Sequence, residues 1–441
     1  MKPSIYNSAI AISDKHTLLF NALSGKFVIV KDEKFVLDEH SLAVAEESNR
    51  SLFRQLVDGG MAVEDSVDED AALRKIIDET DNDNTSFTLH INPTLDCNFR
   101  CWYCYEKHLE NSRMSGEVMS AVRKFIAQTI RDNDELKAFH IGFFGGEPLL
   151  GFDDVVKPLI EFAAAECERK EIRFSVNFTS NGALLTPEMT EFLCSYNSSF
   201  QITLDGYRDS HDKTRFFKGG VGSYDTIFSN VVGLAKKRIH VILRVNYTEK
   251  NVPGIGSLVD DLANVDAEAR DYIRVDFQRV WQERDGQTGE AEAEVKEYRR
   301  RTRELGYAVL ANYIPRNVTD SCYGDKKNHV LINYNGDAFG CTARDFVAEN
   351  RVGVLDDSGK VEYDEKLMQL RASAKFGKKI CQECRIAPLC GGGCRQRAME
   401  AAASEECTMG YSEDDKDDIV LDLFDYSFCS KADKEKSKEQ P

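Results

Sequence analysis

Residues Ser86–Pro93 (SFTLHINP) run directly into Thr94-Leu95-Asp96-Cys97-Asn98-Phe99-Arg100-Cys101-Trp102-Tyr103-Cys104-Tyr105. The first stretch reads as a β-strand, and the second as a loop whose cysteines are spaced C-x3-C-x2-C. Three thiolates on one short loop can hold three irons of a cubane cluster, which leaves the fourth iron without a protein ligand. An open coordination position is what a reaction needs and what a structural metal site avoids. A zinc knuckle with His108 as fourth ligand, or three buried thiols, are other uses of the same residues.

Working outward, strand-like runs recur at 86–93, 139–144, 172–179, 200–204, 239–246 and 272–281. Helical periods lie between them, at about 115–132, 154–169, 187–196, 222–237 and 253–263. This alternation predicts parallel βα units. Four further motifs fall at strand ends: Phe144-Gly145-Gly146-Glu147-Pro148, Thr179-Ser180-Asn181-Gly182, Thr203-Leu204-Asp205-Gly206, and Arg244 on the fifth strand. Glycines let a backbone approach a ligand closely, and a carboxylate with exposed carbonyls suits an ammonium group. Asp205-Gly206 reads equally well as a simple turn.

The cysteine loop, at the end of the first strand of a βα series, resembles that of the radical S-adenosylmethionine enzymes. The resemblance spans about 86–315 and implies a partial six-stranded (β/α) barrel of TIM type, open on one side. Chemistry in such barrels sits at the C-terminal strand ends. It further implies that Cys97, Cys101 and Cys104 hold a 4Fe–4S cluster whose open iron binds S-adenosylmethionine. Reductive cleavage of that cofactor yields a deoxyadenosyl radical. By the same resemblance Tyr103 sits by the adenine, and Gly145, Gly146 and Glu147 receive the methionine amino group. Ser180, Asn181, Thr203 and Asp205 are cofactor contacts, with the Thr203 hydroxyl reaching the ribose or carboxylate. Arg244 pairs with the carboxylate. No catalytic acid or base is assigned.

The chain has 13 cysteines, an odd number, and seven of them lie between 322 and 407. Their spacing is Cys322-x13-Gly336-x4-Cys341, then Cys381-x2-Cys384-x5-Cys390-x3-Cys394, then Cys407. A zinc ribbon explains C-x2-C but leaves Cys390 and Cys394 without a role. The pattern resembles the SPASM extension that follows the barrel in peptide- and protein-modifying members. That resemblance implies two auxiliary 4Fe–4S clusters, one on Cys322, Cys341 and Cys394, the other on Cys381, Cys384, Cys390 and Cys407. With the first cluster this makes three. Cys167 and Cys194 fall in helical patterns and are expected in the core; Cys429 is a spare ligand candidate.

Residues 1–85 form a small mixed unit. A hairpin is expected over 16–31, helices near 39–48 and 50–58, a short strand over 61–64, and one helix around 71–78 before an acidic linker. This order resembles the winged-helix domains that bind precursor-peptide leaders. The expected domains are 1–85 for leader recognition, 86–315 for the barrel, 316–430 for the auxiliary clusters, and 431–441 as a disordered tail. A terminal helix is expected over 412–428.

Composition narrows the partners. Lys+Arg 57 against Asp+Glu 75 leaves a net charge of -18, which repels nucleic acid and anionic membranes. No run of ~18 apolar residues is present, so no membrane span is expected. The start lacks a signal peptide's features, and clustered thiols suit a reducing compartment, so a cytoplasmic location is expected.

Two features choose among functions. In sulfatase-maturing relatives an Asp follows the cysteine of G-x4-C, whereas here Thr342 follows Cys341 and Asp345 lies further on. Those relatives also begin close to their radical loop. The expected function is therefore a radical peptide maturase that forms a cross-link, such as a thioether, in a ribosomally made precursor peptide. An electron donor such as flavodoxin or ferredoxin is implied. A sulfatase-type maturase forming formylglycine is the alternative enzyme, and a non-catalytic iron–sulfur or zinc sensor is the alternative of another class.

Overall fold

The computed structural model describes residues 1–283, 289–310, 318–401 and 404–436. The chain divides into two compact units. One contains 84–312 and 328–364; the other combines 1–83 with 313–327 and 365–441.

The second of these begins with an antiparallel sheet, β1 (Asn7–Ser13), β2 (His16–Asn21) and β3 (Lys26–Val30), in that order. β2 and β3 are the hairpin expected from the sequence; β1 is an additional strand. Helices α1 (Glu39–Ser48) and α2 (Arg50–Asp58) follow. Asp38 accepts the Ser41 N–H while Ser41 Oγ accepts from Asp38 N, a reciprocal cap that starts α1. α3 (Glu69–Asp81) starts at the Asp68 cap and runs through part of the stretch expected to be a linker. Leu73 explains this: it is fully buried, so the acidic helix has an apolar anchor.

That anchor belongs to a core drawn from both ends of the chain. Tyr6, Leu18, Phe20 and Leu73 pack with Ile386, Leu389, Ile419 and Val420. Arg385 donates Nη1 to Ser8 Oγ at 2.7 Å. A buried charge cluster adds to the joint. Lys375 Nζ lies 2.8 Å from Asp81 Oδ2 and 3.3 Å from Asp325 Oδ2. Arg395 reaches the same two carboxylates at 3.3 and 3.2 Å.

The other unit is built on one sheet. Its strands are β4 (Ser86–Ile91), β5 (Ala138–Phe143), β6 (Arg173–Ser180), β7 (Ser198–Leu204), β8 (His240–Tyr247), β9 (Ile273–Arg279), β10 (Ala308–Val309), β11 (His329–Ile332), β12 (Asp337–Phe339), β13 (Arg351–Leu355) and β14 (Val361–Tyr363). The order is β10-β9-β8-β7-β6-β5-β4-β11-β12-β13-β14. Pairing is parallel from β10 to β11 and antiparallel from β11 to β14. The six expected strands stand together in chain order, and helices 116–132, 157–169, 187–193, 224–236 and 255–263 fall between them. The result is a mixed α/β fold with a large, mostly parallel sheet. Buried apolar residues such as Leu89, Ile141, Val176, Ile202, Leu243 and Val275 alternate along the strands with more polar positions.

The expected helix after the sixth strand is Gly289–Glu304, and residues 284–288 and 311–317 around it lie outside the described residues. The terminal helix, Glu413–Lys436, runs past 428 into the segment expected to be disordered, and 437–441 lie outside the described residues. No described helix is long and apolar enough to cross a membrane.

Candidate active site at the strand ends

The loop after β4 is held by its neighbours' backbones. Gly146 N donates to Thr94 O at 3.2 Å and Glu147 N to Asp96 O at 2.8 Å. A Cβ on Gly146 would stand 2.2 Å from Asp96 O, and one on Gly145 would stand 2.5 Å from Thr94 O. Gly145 also has φ +96°, which disfavours any side chain. These glycines thus make room for the cysteine loop itself.

Glu147 has 0% exposure, and its carboxylate is taken up by the protein. Oε1 accepts from Leu149 N at 3.0 Å and Ser180 Oγ at 2.8 Å; Oε2 accepts from Asn181 N at 2.8 Å. The side chain braces the end of β6. Asn181 Nδ2 donates to Asn98 Oδ1 at 2.8 Å, which ties that strand end to the cysteine loop.

Tyr103 is the second tie. Its phenol donates to Asp205 Oδ1 at 2.6 Å and accepts from Asn246 Nδ2 at 3.2 Å and Arg215 Nη2 at 2.7 Å. Arg215 Nε donates to Asp205 Oδ2 at 2.9 Å. Asp205 is therefore a locking group at the end of β7. His211 Nδ1 accepts the Asp205 N–H at 3.1 Å, and its Nε2 lies 3.0 Å from Ser223 Oγ. Burial holds His211 down at about 4, so it is neutral at pH 7. Arg244 pairs in register with Thr203 on β7 and Asp276 on β9, and donates Nε to Asn246 Oδ1 at 3.2 Å. Sequence reading missed Arg215, Asn246 and His211. His211 and Arg215 are four apart behind Asp205-Gly206, the spacing that puts two side chains on one face of a helical turn.

The donor set of the loop fits an iron–sulfur cluster. No described cysteine is in a disulfide. Burial pushes Cys97 up to about 12 and Cys104 up to about 11, and it also raises Cys101, with Arg215 acting in the opposite sense. Such thiols become thiolates only when a cation compensates them. Asn98 Nδ2, next to Cys97, is buried with no hydrogen-bond partner and suits an incoming acceptor. His108 Nε2 lies 3.5 Å from Cys104 Sγ, which pairs the imidazole with one thiol of the loop. The loop that follows Cys341 packs here too: Tyr105 Oη donates to Thr342 O at 2.8 Å, and Lys107 N donates to Asp345 Oδ1 at 3.1 Å.

In the other unit, Cys381, Cys384, Cys390 and Cys407 line one cavity with Tyr411 and Lys416. Burial and the three neighbouring thiols push Cys390 up to about 12. Gly391, Gly392 and Gly393 have φ of +61°, +84° and +80°. A Cβ on Gly392 would meet Phe376 N at 2.6 Å, so the glycines accommodate the preceding chain. Cys322 and Cys394 belong to this unit, and Cys341 to the other. Among the described residues no three His, Cys, Asp or Glu side chains converge on a single-ion position. Cys167 is buried as expected, whereas Cys194 is exposed because it follows the last residue of its helix. The side chain of Cys429 lies outside the described residues.

The Radical SAM superfamily model matches residues 91–254, the segment that carries this site from the cysteine loop to Arg244. The chain carries a radical SAM domain. Among curated relatives, the radical SAM cyclopropyl synthase TigE of Paramaledivibacter caminithermalis is 32% identical over 132 residues, 27% of either chain. The chain spans between 27% and 42% of the length of the first curated relatives it matches. Two solved structures share the fold around the radical SAM domain. The AdoMet-bound anSMEcpe has a TM-score of 0.57 at 16% identity, covering 78% of this chain and 97% of that one. Streptococcus suis SuiB bound to precursor peptide SuiA has a TM-score of 0.51 at 16% identity, covering 92% and 98%. Another relative is the sporulation killing factor maturation protein SkfB of Bacillus subtilis, 28% identical over 177 residues, 39% of this chain and 38% of that one.

Proposed function

We propose that the protein is a radical S-adenosylmethionine peptide maturase with a SPASM-type pair of auxiliary clusters. It cleaves S-adenosylmethionine reductively and forms a cross-link, such as a thioether, in a ribosomally made precursor peptide. The observation that carries the reading is the cysteine loop of a radical SAM domain, tied by Tyr103 and Asn181 to the C-terminal ends of the neighbouring strands. Cys97, Cys101 and Cys104 hold the first 4Fe–4S cluster. Bound there, the cluster and S-adenosylmethionine would supply the radical chemistry for hydrogen-atom abstraction from the substrate. The protein supplies position and electrostatics. Arg244, in register with Thr203 at the end of β7, is the anion partner for the methionine carboxylate.

The second auxiliary cluster rests on Cys381, Cys384, Cys390 and Cys407, supported by the shared cavity. The first auxiliary cluster uses Cys322, Cys341 and Cys394. Residues 1–85 take the role of a winged-helix-like leader reader. β3 is an edge strand with Lys26 on it, which supports main-chain pairing with an extended acidic leader. The SuiB complex with a precursor peptide supports the peptide class of substrate. The reading also carries a flavodoxin- or ferredoxin-type donor and a cytoplasmic setting.

The sulfatase-type alternative is supported by the likeness to the cysteine-type anaerobic sulfatase-maturating enzyme of Clostridium novyi, 24% identical over 159 residues. Against it, Asp345 Oδ1 already accepts from Lys107 N and Phe346 N, which occupies the first carboxylate after Cys341 in sequence. The test is anaerobic reconstitution with iron and sulfide, reduction, and assay of 5′-deoxyadenosine with the mass of the peptide product. A product lighter by two hydrogens supports the cross-link. Formylglycine in a sulfatase peptide selects the alternative, and stoichiometric zinc without deoxyadenosine selects the sensor.

A further inference from the structure

Arg215 is a nearly buried cation, with 10% side-chain exposure, in contact with the residue between two cysteine ligands. Its Nη2 donates to Tyr103 Oη at 2.7 Å, and its Cζ lies 5.8 Å from the Tyr103 ring centroid. Its Nε donates to Asp205 Oδ2 at 2.9 Å, while Asp205 Oδ1 accepts the Tyr103 phenol at 2.6 Å. Three groups therefore close a ring in which one positive and one negative charge balance. The Arg215 main chain is fixed as well: its carbonyl accepts from Ser223 Oγ at 2.8 Å, and Ser223 contacts His211. A buried ion pair of this kind is held in one geometry, since freeing either charge is costly. Its two charges then act on whatever the loop binds through a low-dielectric surround.

We propose that Arg215 is a positioning residue for the cysteine loop, and that its charge, opposed by Asp205, sets the reduction potential of the cluster held by Cys97, Cys101 and Cys104. This rests on the functional reading above. Hydrogen bonding and local charge are known levers on such potentials. The ring gives opposite signs for its two members. Arg215→Met leaves Asp205 unopposed and moves the potential to more negative values. Asp205→Asn leaves Arg215 unopposed and moves it to less negative values. Arg215→Lys restores the charge without the fork.

The experiment uses the full chain reconstituted with iron and sulfide, titrated reductively under electron paramagnetic resonance. The signal followed is the one that changes on addition of S-adenosylmethionine, which separates this cluster from the others. Iron and sulfide are counted in each variant. Opposite shifts for Arg215→Met and Asp205→Asn, with a value near wild type for Arg215→Lys, support the proposal. If Arg215→Met does not fold, the Asp205→Asn shift and the Arg215→Lys value decide it. Unchanged potentials at full iron content overturn it while leaving the maturase reading intact. A wild-type chain with no S-adenosylmethionine-sensitive cluster overturns both.

Discussion

Glu147 and Asn181 are joined at 2.8 Å, with the Asn181 backbone N–H donating to Glu147 Oε2. The carboxylate comes from the turn after β5 and the amide from the end of β6, so one buried side chain sets the spacing of two strand ends under the cysteine loop. Glu147→Ala leaves the Asn181 and Leu149 N–H groups and the Ser180 hydroxyl short of an acceptor. A loss of about 2–4 kcal/mol in unfolding free energy is expected. Glu147→Gln substitutes a donor for an acceptor among three donors and is expected to be damaging too. Chemical denaturation of both variants checks this, beside S-adenosylmethionine affinity, which should weaken about tenfold or more.

Iron counting tests the two cysteine groups separately. The reconstituted wild type is expected to hold about twelve irons in three cubane clusters. Replacing Cys97, Cys101 and Cys104 by Ala should leave about eight and abolish 5′-deoxyadenosine formation. Replacing Cys381, Cys384, Cys390 and Cys407 should also leave about eight while the uncoupled cleavage persists. Zinc in place of iron after the first replacement, at one per chain, would identify the 381–407 group as a zinc fold.

Two buried histidines make the metal-free chain acid-sensitive. Burial lowers both His90 and His211 to about 4 from an ordinary 6.5. A lowered histidine stays neutral in the fold while the unfolded chain takes up a proton. Stability is therefore complete above about 6.5 and declines as pH falls toward about 4. Between pH 7 and pH 5 the two groups together account for a loss of about 4 kcal/mol. Urea midpoints of the metal-free protein at the two pH values measure it, and His211→Gln should flatten the decline by about half.

The first 83 residues are not expected to be removable without damage. From the linear pattern alone, a chain starting near Ser86 should keep its clusters. The shared core alters that expectation, because Tyr6, Leu18, Phe20 and Leu73 cover Ile386, Leu389, Ile419 and Val420. Truncation at Ser86 should reduce iron at the 381–407 cysteines, measured against the full chain. Lys375→Ala leaves Asp81 and Asp325 facing Arg395 alone, and about 3–5 kcal/mol of stability should be lost. Unchanged iron in the truncated chain would contradict the shared core.

The parallel strands were legible because period-2 apolar runs alternate with helical periods, and each run from 86 to 281 became a strand at nearly the expected place. The cysteine loop was legible because its spacing alone limits what three thiols can do. Less could be read where a residue's partner is remote in sequence. Glu147 stands in a readable motif, but only the fold shows that Ser180 and Asn181 donate to it. Arg215 sits in an ordinary-looking RFFKGG stretch, and only the fold brings it to Tyr103, 112 positions away. The union of the N-terminal sheet with residues 381–420 was invisible for the same reason, since no local pattern announces a core shared across 377 positions, as between Ser8 and Arg385.

β4 is an interior strand, flanked by β5 on one side and β11 on the other. Its second neighbour lies far along the chain: His90 meets His329 across 239 positions. At a synthesis rate of roughly 5–20 residues per second, that edge waits about 12–50 s for its partner to emerge from the ribosome. During that interval the strand that bears the cysteine loop has an open hydrogen-bonding edge, and long-range pairing of this kind is slow even afterwards. Nascent chains halted between 280 and 330 should therefore bind chaperones, and cluster insertion should be a late event in the protein's biogenesis.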